Sequence, residues 1–112
     1  MTDQPPYSRV RRAGSLLFTA GTLGMRDGVM AEGIEAQLDL ALDNLEALLQ
    51  DEGLAQSDVV RLVVYLTDLA HMPELNAAFT SRFSEPRPTR TTVQVAALPF
   101  GAIVEVEATA AT

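Results

Sequence analysis

The stretch "RPTRTTVQVAALPFGAIVEVEA", Arg87 to Ala108, carries the pattern that decides the fold. Two alternating runs flank Leu98-Pro99-Phe100-Gly101, which predicts closing strands at about Thr89 to Ala96 and Ile103 to Thr109. On the first, Thr91, Val93 and Val95 alternate with Arg90, Thr92 and Gln94. On the second, Val104, Val106 and Ala108 alternate with Ile103, Glu105, Glu107 and Thr109. Assigning both valine sets to the helix side puts Arg90 and Glu105 together on the opposite face. An unpaired charge buried there would cost several kcal/mol, so the pair is either a structural neutralisation or the core of a binding pocket.

Upstream, "SEPRPTR" holds two prolines that forbid a helix. Before it, Pro73 near a first turn and Leu75, Ala78, Phe79 and Phe83 along one side predict a helix. Val59 to Thr67, a β-branched run too short for a typical helix, reads as a central strand. Leu38, Ala41, Leu42, Leu45, Leu48 and Leu49 recur at helical spacing from Ile34, and Gly53 supplies a C-terminal cap. Near the start, Ser8 to Arg12 and Leu16 to Ala20 flank Ala13-Gly14-Ser15, as in a hairpin. "TLGMRDGVM" reads as loop with a short strand near Val29.

This order predicts an α+β domain spanning residues 1–112, with both helices on one face of the sheet. The strands are apolar on both sides: Leu62, Val64 and Leu66 oppose Val63 and Tyr65, while Leu16 and Phe18 oppose Leu17. Two helices cover only one face, so a homo-oligomer that buries the other is expected.

Composition removes several functions. The formal charge of −7 opposes phosphate backbones, and the arginines are scattered. The chain has no lysine for a Schiff base and no cysteine for a disulfide or thiol nucleophile. The start "MTDQPPYSRV" has neither the basic end nor the apolar run of a secretory signal, so the expected address is the cytoplasm. His71, alone at a helix start, forms no metal set. The "GTLG" segment lacks the Gly-Lys-Ser/Thr end of a phosphate loop.

"PTRTTVQVAALPFGAIVEVEA", with "YSRVRRAGSLLFTAG", "DVVRLVVYLTDL" and "LNAAFTSRF", resembles the Rid, or YjgF, family of reactive intermediate deaminases over nearly the whole chain. The resemblance implies a chorismate-mutase-like fold with a mixed sheet, assembled as a homotrimer with sites between subunits. It implies cofactor-free and metal-free hydrolysis of enamines and imines, such as 2-aminoacrylate and 2-iminopropanoate, to a 2-keto acid and ammonia. Carried over by position, Arg90 matches the carboxylate-binding arginine and Glu105 the water-orienting glutamate. Tyr7, Gly21 and Asn76 match pocket positions. Ala20 and Thr22 depart from the family's serine and glutamine, altering a hydroxyl and an amide expected near the ligand, and Thr92 stands where a cysteine is common.

In the reaction so implied, Arg90 clamps the substrate carboxylate and Glu105 aligns a water and moves its proton. The rival readings are an oligomeric sensor of small 2-keto acids, a deaminase specialised for a pathway metabolite and, disfavoured by charge, a ribonuclease. No nucleic-acid or membrane partner is expected. Tyr65 reads as packing rather than an acid.

Overall fold

A computed structural model describes residues 4–112. Its frame is a six-stranded mixed sheet and two helices. Strands β1 (Val10–Ala13) and β2 (Leu16–Thr19) form the first hairpin, turning through Gly14 at a φ of 58°. A two-residue strand β3 (Thr22–Leu23) follows. Next come β4 (Met25–Arg26) and β5 (Val29–Met30), which pair in a separate hairpin. Its turn is Asp27-Gly28, both at positive φ, the backbone that Asp-Gly turns favour. The expected loop with one strand is therefore a hairpin.

The long helix α1 (Ile34–Asp51) buries Leu38, Ala41, Leu42, Leu45 and Leu49 of the stripe its spacing predicts, while Leu48 at the edge of the stripe is half-buried. It ends in a reciprocal pair of backbone bonds, Leu54 N–H to Leu49 O and Gly53 N–H to Gln50 O. Gly53 lies at φ 76°, a left-handed conformation that glycine adopts without a Cβ clash. Central strand β6 (Val59–Leu66), helix α2 (Met72–Arg82), β7 (Thr89–Gln94) and β8 (Val104–Ala111) complete the chain.

Leu62, Val64 and Leu66 of β6 and Val104, Val106, Ala108 and Ala110 of β8 meet α1, Leu17, Leu75 and Phe83 in one core. Each fully buried leucine or valine contributes roughly 1.5–3 kcal/mol before entropy is subtracted. No helix among the described residues is long and apolar enough to cross a membrane.

The sheet order is β1-β2-β8-β6-β7, with β3 also pairing β8. The two closing strands do not pair with each other. Strand β6 lies between them, parallel to β7 and antiparallel to β8. This order reverses the expected orientation of β7. Parallel register sets Leu62 beside Arg90 and Val64 beside Thr92, so Arg90 and Thr92 face the helices with the core leucines. Thr91 and Val93 accompany Val63 and Tyr65 on the open face, where Val93 is 38% exposed. Valine goes to the helix side on β8 but not on edge strand β7, where α2 offers an arginine polar and aromatic partners. The open face is correspondingly mixed: Leu16, Phe18 and Val93 share it with Arg61, Glu105 and Glu107.

Candidate functional site

Glu105 stands on the open face of β8, opposite Tyr65 of β6 and Leu23 of β3. Gly21 lies against it: an added Cβ would sit 2.7 Å from the Glu105 carboxyl carbon, so a bare Cα lets the carboxylate fit. Burial first, and then the charge of Glu107, push the Glu105 carboxyl above the usual carboxylate range. The Tyr65 hydroxyl donates to Glu107 Oε1, so Tyr65 is a polar neighbour of the acids rather than plain packing. That bond, followed by burial, raises the Tyr65 pKa.

A cleft of about 460 Å³ opens beside Gly21. Tyr7, Leu23, Met25, Leu48 and Phe100 supply its apolar wall, and Arg9 and Asp27 are charged members of the lining. Asn44 positions one side by donating through Nδ2 to Leu23 O (2.8 Å) and Met25 O (2.9 Å). Phe100, between Pro99 and Gly101, has φ 59° and ψ 23°. For an L-residue this left-handed conformation costs roughly 1–2 kcal/mol.

Thr22, which stands where the family has a glutamine, uses its side chain within the fold. Although it lines the cleft, its buried hydroxyl donates to Ala41 O at 3.0 Å and stands 3.3 Å from Val106 O. It fastens α1 to the sheet.

Arg90 lies across the sheet. Its Nη2 donates to Asn76 Oδ1 at 2.8 Å, and its guanidinium carbon stands 4.9 Å from the centroid of Phe79. Asn76 and Phe79 are three residues apart on α2, so one helical face presents both partners. Desolvation lowers the Arg90 pKa. No carboxylate pairs with Arg90 among the described residues. The hydroxyl of Thr92, two residues on along the same face of β7, is buried without a hydrogen-bond partner.

The five residues singled out in the sequence thus fall into two groups. Gly21 joins Glu105 to the cleft that Tyr7 lines, whereas Asn76 joins Arg90. Arg90 and Glu105 do not converge within one chain. Phe79, the Tyr65–Glu107 bond and Phe100 were not singled out as site elements. Phe79 read as one member of a helix core stripe, while the Pro-Phe-Gly turn was a visible signal for an unusual backbone. His71 precedes α2, with Nδ1 3.9 Å from Glu74 Oε1. No group of three or more His, Cys, Asp or Glu among the described residues is arranged to hold a metal ion.

A family model described as Endoribonuclease L-PSP matches residues 1–112. A RutC family protein of Pyrococcus horikoshii is 34% identical over 108 residues, covering 94% of this chain and 86% of the relative. Reactive Intermediate Deaminase A, chloroplastic, of Arabidopsis thaliana is 36% identical over 105 residues, 91% of this chain and 56% of its own length. Among solved structures, RidA of an Antarctic Psychrobacter species superposes with a TM-score of 0.94 at 35% identity, over 99% of this chain and 92% of the other. Escherichia coli TdcF with bound serine superposes with a TM-score of 0.91 at 31% identity, over 98% and 91%.

Proposed function

This chain belongs to the Endoribonuclease L-PSP family, which includes proteins named reactive intermediate deaminases, and on that premise we propose that it is a cofactor-free hydrolase of 2-imino acids and their enamines. The observation that carries the reading is Arg90: a partly desolvated guanidinium, oriented by Asn76 and Phe79, with no carboxylate partner among the described residues. Such a group is ready for a ligand carboxylate. The serine bound by TdcF, an α-amino acid, has the same carboxylate chemistry. A net charge of −7 favours a small acid held by one placed arginine over a nucleic-acid backbone.

Because Arg90 and Glu105 occupy opposite faces, a working site takes Arg90 and Asn76 from one subunit and Tyr7, Gly21 and Glu105 from its neighbour. A homotrimer packed through the open faces provides three such sites and covers Leu16, Phe18 and Val93. Arg90 holds the substrate carboxylate. Glu105 removes a proton from water as its oxygen bonds to the imine carbon, the C=N electron pair moves to nitrogen, and Glu105 passes that proton to the nitrogen to give the carbinolamine. Glu105 then takes the hydroxyl proton and delivers it to the amine, the C–N bond breaks with its electron pair leaving on nitrogen, and ammonia departs as the O–H electron pair forms the carbonyl. A carboxyl with a raised pKa suits both directions of transfer.

Mixing two inactive variants tests the shared site. Arg90→Ala and Glu105→Gln, refolded together in equal amounts, should recover activity, because random assembly unites an intact arginine and glutamate at about one quarter of interfaces. Keto-acid release from 2-iminopropanoate generated in situ is the readout. No recovery would sink the two-subunit site. No acceleration by the unmodified protein would sink the hydrolase.

A further inference from the structure

The cleft beside Gly21 is far larger than a three-carbon imino acid requires. About 460 Å³ falls within the range of clefts that hold drug-sized ligands, roughly 300–1,000 Å³. Its apolar wall is built from Tyr7, Leu23, Met25, Leu48 and Phe100. The three most exposed large apolar side chains among the described residues belong to segments around it: Phe100 at 75%, Val29 at 68% and Tyr7 at 61%. Val29 lies on β5, in the hairpin that contributes Met25, Asp27 and Gly28.

Exposed aromatic rings around a concave site present apolar area for a ligand to cover. Phe100 is the most exposed of the three and also has the left-handed backbone. Folding gains little from a side chain so open to water, and glycine would relieve the backbone cost. An aromatic residue in that conformation at a cleft mouth points to a ligand contact.

We infer that Phe100, with Tyr7 in the lining of the same cleft, selects 2-imino acids with bulky apolar or aromatic side chains over the alanine-derived imine. This rests on the proposed hydrolase, because the cleft meets the acid/base group through Gly21, which both lines it and packs on Glu105. Arg9 and Asp27 leave an acidic side chain as the competing occupant.

The test uses imines generated from L-alanine, L-leucine, L-phenylalanine and L-glutamate by amino-acid oxidation, with the whole protein and its Phe100→Ala variant. Removing a ring from a hydrophobic contact is expected to change discrimination about tenfold or more. The unmodified protein should show a higher kcat/KM for the phenylalanine-derived imine than for the alanine-derived one. Phe100→Ala should cut that ratio about tenfold, chiefly through KM. Equal use of all four, preference for the glutamate-derived imine, or a variant that dissociates instead of changing selectivity would overturn the assignment.

Calorimetric binding of phenylpyruvate against pyruvate keeps this distinct from the hydrolase itself. Tighter phenylpyruvate binding that is lost in Phe100→Ala supports the cleft assignment even if no imine is hydrolysed. Equal binding in such a protein sinks both.

Discussion

Arg90 and Glu105 are both partly withdrawn from water, but the protein treats the two charges differently. Around Arg90, α2 supplies an amide oxygen and a ring face, so the guanidinium has favourable partners before a ligand arrives. Around Glu105, the surroundings work against ionisation: burial and Glu107 both raise its pKa, and no hydrogen bond to its carboxylate is present among the described residues. A group that binds is best held in one geometry, while one that exchanges protons must remain near balance between two states. The different environments suit the two tasks proposed for these residues.

Replacing each charge should separate the two sides most clearly. Arg90→Ala and Glu105→Gln are each expected to reduce kcat/KM by roughly 10²-fold to 10⁴-fold. Their stabilities should move in opposite directions. Arg90→Ala leaves Asn76 without its donor and lowers Tm slightly, since a hydrogen bond contributes about 1 kcal/mol. Because the folded-state pKa of Glu105 is raised, ionisation opposes folding above its unfolded value of roughly 4.3. Glu105→Gln should therefore raise Tm at neutral pH, with the gain vanishing below about pH 4. Thermal melts at pH 4 and pH 7 check this, and a lower Tm for Glu105→Gln at pH 7 would break the contrast.

A smaller effect is expected for Asn76→Ala, which removes the orienting amide but keeps the Arg90 charge. It should lower kcat/KM about tenfold, mainly by raising KM. Steady-state kinetics would distinguish this from a purely structural change, which lowers the active fraction without altering KM. Glu107→Gln should have the mildest effect. With the neighbouring charge removed, the acid limb of the pH–rate profile should move to lower pH, because Glu105 must be ionised to accept the water's proton. Burial, the larger cause, remains, so the displacement is partial.

Local rules made much of this architecture legible. The stripe from Leu38 to Leu49 and the glycine at position 53 specify α1 and its end with little help from distant residues. Along β8, valine and glutamate alternate and take the expected faces. The pattern on β7 establishes that Arg90 and Val93 point apart, but alternation cannot say which face meets a helix. That choice depends on β6 entering between β7 and β8 and on α2 presenting Asn76 and Phe79. The chemical identity of the candidate pair could be read from sequence, whereas its division between two faces required the strand order. Asp27-Gly28 was a readable hairpin signal, obscured by how short its flanking strands are.

The opposite-face placement also bears on when the proposed enzyme would act. A small imino acid cannot reach around the sheet, so an isolated chain would be silent however well folded it is. At dilutions where subunits separate, the rate would rise more steeply than in proportion to protein concentration, as each site awaits an encounter. Synthesis of the first few copies would yield no activity, and accumulation would turn it on.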